Sequence, residues 1–320
     1  MRVVILAVIS VLLVFTYGCD SKKEPMKNKQ TTASSTTPTK TADVTKQNEL
    51  PNVSVSFTKE SFPKIDGSTA TIPLTQAMAG KLLGMSSDES EKFIKHNTTH
   101  NAYVNLIEGK ADIIFVTEPS DEELKIAKDA NVEIEVVPVV KEGFVFLVNM
   151  NNPVSSLTVK QIQDIYQGKI NSWSEVGGND STIIPYQREK NSGSQTIMEQ
   201  SVMKGIKMMD APKNIVWGMS ELIDSIAKYD NAENALGYSV YYYAKSMYNK
   251  DTIKFIAVDG IAPDNNTIAS GKYPFTSAYY AVFKKSEAQT SPARSLLAWI
   301  MSREGQETAE KAGYVPLEVR

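Results

Sequence analysis

The segment from Arg188 to Thr196 combines a basic residue with hydroxyl side chains around a glycine, in the order Arg-Glu-Lys-Asn-Ser-Gly-Ser-Gln-Thr. The Asn-Ser-Gly run indicates a loop, and the apolar spacing over 196–203 predicts a helix that follows it. The first turn of a helix offers unpaired N–H groups and a positive dipole end. Glycine also lets the backbone approach a ligand closely. These features predict a site for a small oxyanion, built from Arg188, Ser192, Gly193 and Ser194. A simpler interpretation is that Ser192 caps a helix and Arg188 is a solvated surface charge.

Two further loops rich in hydroxyl groups precede predicted helices. Asp66-Gly-Ser-Thr-Ala-Thr leads into a helix predicted over 74–83, and Thr98-Thr-His leads into one predicted over 102–108. Each pattern alone also fits an ordinary helix cap. If both loops converge with the loop at Arg188, they supply several N–H and O–H donors around one positive charge, as a tetrahedral oxyanion requires.

Glu118 is a candidate for choosing between anions. It follows an apolar strand predicted over 111–116, so it lies at the carboxyl end of that strand, where open α/β sheets bind ligands. A carboxylate only accepts hydrogen bonds, so it favours a protonated anion such as hydrogen phosphate over sulfate. Alternatively, Glu118 caps the helix predicted over 121–129.

The composition of the chain fits a globular α/β body. With 37 acidic and 34 basic side chains in 320 residues, the protein has no basic footprint for nucleic acid. Short β-branched runs alternate with helical patterns, which predicts an α/β fold, and the length favours two lobes. Strands are predicted at 111–116, 132–140, 144–149, 183–186, 235–238, 253–258 and 279–284. Helices are predicted at 74–83, 102–108, 121–129, 159–166, 196–203, 219–228, 293–302 and 305–312.

The N-terminal segment has the pattern of an exported lipoprotein. Residues 1–18 read as a signal peptide, and Cys19, the single cysteine, stands where lipid attachment would occur. Thr16 and Tyr17 depart from the usual residues of that processing motif. Residues 19–52 contain almost no large apolar side chain, which predicts a disordered tether. We therefore expect a protein anchored by lipid to the extracytoplasmic face of the cell membrane.

Catalysis and metal binding have weak support in the sequence. Ser201 and Lys204 match a Ser-x-x-Lys spacing, but its companion motifs and the Gly-x-Ser-x-Gly elbow of hydrolases are missing. The two histidines, His96 and His100, would bind a metal only if helical, and the intervening Asn-Thr-Thr favours a loop. We expect no enzyme activity, no cofactor and no metal.

Several motifs together resemble those of the phosphate-binding proteins of Pst-type ABC transporters, over about residues 60–318. They are Asp66-Gly-Ser-Thr-Ala, Gly168-Lys-Ile-Asn-Ser-Trp-Ser-Glu-Val-Gly-Gly, Arg188 with Ser192-Gly-Ser, Leu236-Gly-Tyr, and Glu310-Lys-Ala-Gly-Tyr-Val-Pro-Leu. The resemblance implies a two-lobed periplasmic-binding-protein fold of class II with a discontinuous first lobe. The first lobe would comprise 53–139 and 276–320, and the second 140–275.

The same resemblance implies a function and a set of ligand contacts. The lobes would close on inorganic phosphate and deliver it to a membrane permease, and the protein would act as a monomer. The first lobe would supply donors from Ser68, Thr69, the amide of Ala70, and Thr99 or its neighbour His100. Arg188, Ser192, Gly193 and Ser194 would come from the second lobe, and Glu118 stands where the family places an aspartate that accepts the phosphate proton. Another oxyanion, such as sulfate or molybdate, or a surface lipoprotein without a transport role remains an alternative.

Overall fold

The computed structural model describes residues 50–210, 214–228 and 232–317. The predicted signal peptide, the lipid-attachment residue Cys19 and most of the predicted tether lie outside these residues. In the described part, helices alternate with mostly short strands along the chain. The predicted α/β class is therefore confirmed.

Ten strands are described: β1 Ile65–Gly67, β2 Ile113–Val116, β3 Ile134–Asn149, β4 Ser156–Leu157, β5 Ile184–Pro185, β6 Gln187–Arg188, β7 Ile215–Val216, β8 Ala235–Val240, β9 Ile253–Val258 and β10 Thr276–Lys284. Ten α-helices are described: α1 Ile72–Leu83, α2 Ser87–Phe93, α3 Thr99–Ile107, α4 Asp121–Asp129, α5 Val159–Tyr166, α6 Gly193–Ile197, α7 Met219–Lys228, α8 Asn265–Ala269, α9 Pro292–Ile300 and α10 Arg303–Lys311. A π-helical segment, Met198–Met203, continues α6.

Eight strands form one mixed sheet, with the order β1-β2-β10-β3-β8-β5 and with β9 joined to β3 and β4. The strands β1 and β2 are parallel neighbours, so their carboxyl ends lie at the same edge. Outside this sheet, β6 and β7 pair in parallel and bring Arg188 beside Val216. Two of the three loops predicted to bind a ligand, those at Ser68 and Arg188, therefore begin at strand ends, whereas the loop at Thr98 lies between α2 and α3.

The long strand β3 joins two groups of strands. Its first part, from Ile134 to Gly143, pairs with β10, and its second part, from Phe144 to Asn149, pairs with β8 and β9. The local patterns predicted strands at 132–140 and 144–149, and the structure joins them into one strand because the chain stays extended through 141–143. The lobe boundaries at 139/140 and 275/276 stay a prediction, and the change of partner on β3 lies close to the first of them.

Local sequence signals explain several helix limits. Ser120 and Glu123 form a reciprocal cap at the start of α4, and Thr158 and Gln161 do the same for α5. The helix α1 ends at Gly84, which has a φ of 66° and adopts the left-handed conformation that favours glycine. These signals account for the agreement between the predicted and observed limits of α4 and α5.

The Gly168–Gly178 motif has a packing role. Trp173 is buried, and its indole N–H donates to the carbonyl of Asn234 at 3.0 Å. The carbonyl of Trp173 accepts from the amide of Gly178 at 2.8 Å. The motif thus fixes a turn against the core rather than lining a ligand site. None of the helices within residues 50–210, 214–228 and 232–317 is long and apolar enough to span a membrane.

Candidate functional site

A cavity of about 340 Å³ lies where the predicted loops meet. We name its two sides by their residues. The hydroxyl wall comprises Ser68, Thr69, Ala70, Thr99 and Thr117, and the arginine wall comprises Arg188, Glu189, Ser192, Gly193, Ser194 and Trp217. Of the sequence-predicted ligand residues, the structure brings all except Glu118 together around this cavity.

Arg188 is buried and held by several hydrogen bonds. Its Nε donates to the carbonyl of Val216 at 3.2 Å, and one terminal nitrogen donates to the Ser194 hydroxyl at 3.2 Å. The other terminal nitrogen donates to Glu189 Oε1 at 3.0 Å and to the carbonyl of Trp217 at 2.7 Å. A guanidinium has five N–H groups, so one is left for a ligand after these four bonds to described residues. The interpretation of Arg188 as a solvated surface charge was wrong.

The two serines of the arginine wall keep their hydroxyl protons available. Ser192 Oγ accepts from the amide of Gln195 at 3.3 Å, so it does cap α6 as the simpler interpretation proposed. Ser194 Oγ accepts from Arg188. A hydroxyl that accepts through its oxygen still has its own proton to donate. The first amides of α6, at Gly193 and Ser194, have no partner within that helix and add further donors.

Gly193 marks the point where the two walls touch. A Cβ atom at this position would lie 2.6 Å from Thr117 Oγ1 and 2.8 Å from Thr99 Oγ1. Real Cβ atoms do not approach oxygen so closely, so only glycine fits without a shift of the opposite wall. This close approach places the donors of both walls around one small volume.

The hydroxyl wall forms at the shared edge of β1 and β2. The amide of Ser68, directly after β1, donates to the carbonyl of Phe115 in β2 at 2.9 Å. Ser68 makes no side-chain cap on the helical turn that follows, so the cap interpretation was wrong for this residue. The Tyr314 hydroxyl donates to the carbonyl of Ala70 at 2.7 Å, which fixes the loop from the distant Gly-Tyr-Val-Pro motif.

Asp66 joins the two hydroxyl loops. Its buried carboxylate accepts from the amides of Gly67 and Asn97, each at 2.7 Å, and from the Asn105 side chain at 2.7 Å. These bonds connect the end of β1 to the segment before α3. Asp66 therefore positions the donors of both loops without lining the cavity.

Thr99 is the first residue of α3, and it follows a strained backbone position. Thr98 has a φ of 71° and a ψ of 164°, a region that β-branched residues rarely adopt. Such strain concentrates at functional sites. Thr98 does not cap α3 through its side chain, so this loop is not an ordinary helix cap.

Glu118 lies outside the cavity, contrary to the sequence-based placement. It is exposed, and its carboxylate accepts from the Tyr280 hydroxyl at 2.7 Å. Burial, together with this bond to Glu118, raises the pKa of Tyr280. The alternative prediction was also wrong, because Ser120 rather than Glu118 caps α4. The residue before it, Thr117, occupies the cavity wall instead.

Sequence reasoning missed several residues of the cavity, among them Thr117, Glu189, Trp217 and Tyr279. Thr117 Oγ1 is buried and has no hydrogen-bond partner among the described residues, so it is free to bond to a ligand. The signal that selected Glu118, the end of an apolar strand, applies equally to Thr117. Glu189 is adjacent to Arg188, within the segment that predicted the anion site. Trp217 and Tyr279 carry no local signal, since both depend on long-range pairing.

The two histidines have structural partners. His96 Nδ1 lies 2.8 Å from the carbonyl oxygen of Ser68, and its Nε2 lies 3.0 Å from Thr75 Oγ1; burial lowers the pKa of His96. His100 lines the cavity, and its Nδ1 lies 3.2 Å from Glu123 Oε1. Within the described residues, no group of three or more His, Cys, Asp or Glu side chains could hold a metal ion.

The fold and the cavity define a class of protein. The site is small, concave and surrounded by hydroxyl and amide donors with one buried guanidinium. The strand β3 pairs with β10, which neighbours β2 of the hydroxyl wall, and with β8, whose Tyr238 hydroxyl accepts from the amide of Arg188. Such a site can bind a small oxyanion. These features are those of a solute-binding protein.

The chain belongs to the PBP superfamily, since the model of the PBP superfamily domain matches residues 32–304. Phosphate-binding protein PstS of Bacillus subtilis is 26% identical over 254 residues, covering 79% of this chain and 80% of that protein. PstS of Staphylococcus epidermidis is 25% identical, covering 79% and 78%. The resemblance found in the sequence motifs is therefore confirmed.

Solved structures support the same fold. A Clostridium perfringens protein solved with bound phosphate is 27% identical and has a TM-score of 0.62, covering 82% of this chain and 100% of its own. An ABC-type phosphate transport receptor from Vibrio cholerae, at 21% identity, has a TM-score of 0.58 and covers 78% of this chain and 98% of its own. The predicted two-lobed periplasmic-binding-protein fold is confirmed.

Proposed function

We propose that this protein binds inorganic phosphate in the cavity between its two walls and delivers it to a membrane ABC permease. The observation that carries the proposal is the convergence of Arg188 with hydroxyl and amide donors from separate loops on one small volume. A tetrahedral oxyanion accepts several hydrogen bonds at once, and this donor set matches that need. The names of the PstS relatives and the phosphate bound to the Clostridium perfringens protein support the choice of phosphate.

In this proposal the protein acts outside the cytoplasm as a monomer, anchored to the membrane by a lipid on Cys19. The N-terminal sequence pattern supports this location, and the lipid attachment is testable by mass spectrometry of the membrane fraction. The ligand is released unchanged, so the protein is not an enzyme. The family match and the binding character of the relatives support this view.

Thermal unfolding with a panel of anions tests the proposal. The full chain is freed of ligand by unfolding and refolding, and its midpoint is measured with phosphate, sulfate, molybdate or no added anion. A ligand at 100 times its dissociation constant adds about 2.7 kcal/mol of stability, which raises the midpoint by a few degrees in a protein of this size. We expect this shift with phosphate alone. A larger shift with sulfate or molybdate would show that this anion, and not phosphate, is the ligand. No shift with any anion would overturn the proposal.

A further inference from the structure

Glu189 is the only carboxylate among the described residues that line the cavity. Glu118, the acidic residue expected to read the proton of the anion, is exposed and bonded to Tyr280. If a carboxylate in this cavity accepts the proton of the anion, it must therefore belong to another residue. Glu189 is the candidate on the arginine wall.

The backbone around Glu189 is fixed at both ends. Its amide donates to the carbonyl of Val216 at 3.3 Å, and its carbonyl accepts from the amide of Ser192 at 3.2 Å. These bonds hold Glu189 between the β6–β7 pair and the start of α6. The side chain is thus attached to the same rigid turn that carries the serine donors.

The two carboxylate oxygens of Glu189 have different surroundings. Oε1 accepts from Arg188 at 3.0 Å. Oε2 is buried and has no hydrogen-bond partner within the described part of the chain. A buried acceptor without a donor is unfavourable, and unpaired groups of this kind in native proteins call for a partner such as a ligand or water. Glu189 also lines the cavity, so a ligand bound there lies beside this carboxylate.

We propose that Glu189 accepts a hydrogen bond from the protonated oxygen of the bound anion and so selects hydrogen phosphate over sulfate. This inference rests on the proposed function. A carboxylate offers only lone pairs, so an anion oxygen without a proton is repelled by it, whereas a P–OH group bonds to it. Glu189 thereby orients Arg188 through Oε1 and accepts the hydrogen bond from the protonated anion through Oε2.

The experiment compares two matched carboxylate variants, Glu189→Gln and Glu118→Gln, with the wild-type full chain. Dissociation constants for phosphate and sulfate are measured by calorimetric titration, and the readout is the ratio of the two. Glutamine keeps an oxygen for Arg188 and places an N–H₂ group where the second oxygen was. We expect Glu189→Gln to reduce the preference for phosphate by about tenfold or more. The carboxylate oxygen repels an oxygen of sulfate, whereas the amide N–H₂ of glutamine donates a hydrogen bond to it. The Glu118→Gln variant is expected to keep the wild-type ratio.

A purely structural role for Glu189 gives a different result. If Glu189 only orients Arg188, its replacement weakens the binding of both anions by a similar factor and leaves the ratio unchanged, which would overturn the inference. A changed ratio in Glu118→Gln alone would also overturn it. The variant Glu189→Asp, which retains a carboxylate, is expected to keep the preference for phosphate, and loss of the preference would contradict the inference. Wild-type protein that binds no phosphate would instead refute the proposed function itself.

Discussion

The two walls of the cavity differ in how they prepare to bind an anion. On the arginine wall, the guanidinium of Arg188 is buried and fixed by four hydrogen bonds, so its charge is oriented before a ligand arrives. On the hydroxyl wall, the donors are neutral, and Thr117 has no hydrogen-bond partner among the described residues. In the proposed function, the arginine wall therefore supplies a preorganised charge, and the hydroxyl wall supplies neutral hydrogen bonds that form when the ligand binds.

The largest effect is expected from removing the charge of the arginine wall. In Arg188→Ala the anion loses its charge-assisted contact, and Glu189 is left without its cationic partner. We expect phosphate affinity to fall by about 2.0–2.7 kcal/mol, a thirty- to hundredfold change, measured by calorimetric titration. Arg294→Ala removes another partly buried arginine, which pairs with Glu135 away from the cavity, and serves as the control. Equal losses in the two variants would contradict a special role for Arg188.

A second prediction concerns the contact between the walls. In Gly193→Ala the new methyl group meets the hydroxyls of Thr99 and Thr117, so one wall has to move away from the other. We expect phosphate affinity to fall about tenfold or more, since a small displacement of donors weakens several hydrogen bonds together. Gly80→Ala, in α1, has its nearest neighbour at 3.4 Å and should bind normally. Normal binding by Gly193→Ala as well would show that the walls need not approach so closely.

A smaller effect is expected from the hydroxyl wall. Thr117→Val preserves the shape of the side chain and removes one neutral donor, which is worth about 1 kcal/mol, or roughly a fivefold loss of phosphate affinity. The control is Thr308→Val, an exposed hydroxyl that bonds to the carbonyl of Glu304. If Thr117→Val lowers affinity as much as Arg188→Ala, the contrast between the two walls is wrong.

A substitution in β3, at a residue that does not line the cavity, should affect stability more than phosphate affinity. Glu142 in β3 is buried, and burial raises its pKa to about 7, although the amides of Gly143 and Tyr242 donate to it. The folded protein therefore holds this proton more tightly than the unfolded chain, whose glutamate pKa is near 4.5. The resulting stability is complete below pH 4.5 and is lost as the pH rises through 7.

Denaturant unfolding of wild type and Glu142→Gln between pH 5 and 8 measures this effect. The free energy of unfolding of the wild type should fall relative to the variant across that range, by at most about 3 kcal/mol. His96 and Glu123 also have shifted pKa values, but they are present in both proteins and cancel in the difference. Phosphate affinity should stay within about twofold. Parallel curves would show that Glu142 does not titrate in this range.

Much of the fold followed from local signals in the sequence. The predicted limits of α4 and α5 agree with the structure, and in both helices the residues that cap the start lie within four positions of it. The local pattern did not indicate the continuity of β3, since residues 141–143 are held extended by distant partners such as Thr276 and Val315. The pair β6–β7, which anchors Arg188, consists of two-residue strands whose pairing no local pattern reveals.

The site residues were predictable where the donors are adjacent in sequence. They were not predictable where the direction of a side chain determines whether it faces the cavity. All four residues of β2 are buried, so the strand has no alternation to tell which of Thr117 and Glu118 faces the cavity. Similarly, the contact between Gly193 and the hydroxyl wall depends on how the sheet and α6 approach each other. Residue types alone indicated an anion site, but only the tertiary structure shows that Glu189, and not Glu118, lines the cavity.

The proposed function requires that one phosphate ion binds between the two walls, with Arg188 as the source of positive charge. Calorimetric titration of the ligand-free full chain with phosphate, run beside Arg188→Ala, tests it most directly. We predict saturable binding of about one phosphate per chain for the wild type and a thirty- to hundredfold weaker response for the variant. No saturable binding by the wild type would refute phosphate binding, and equal affinity in the two proteins would show that Arg188 does not supply the charge.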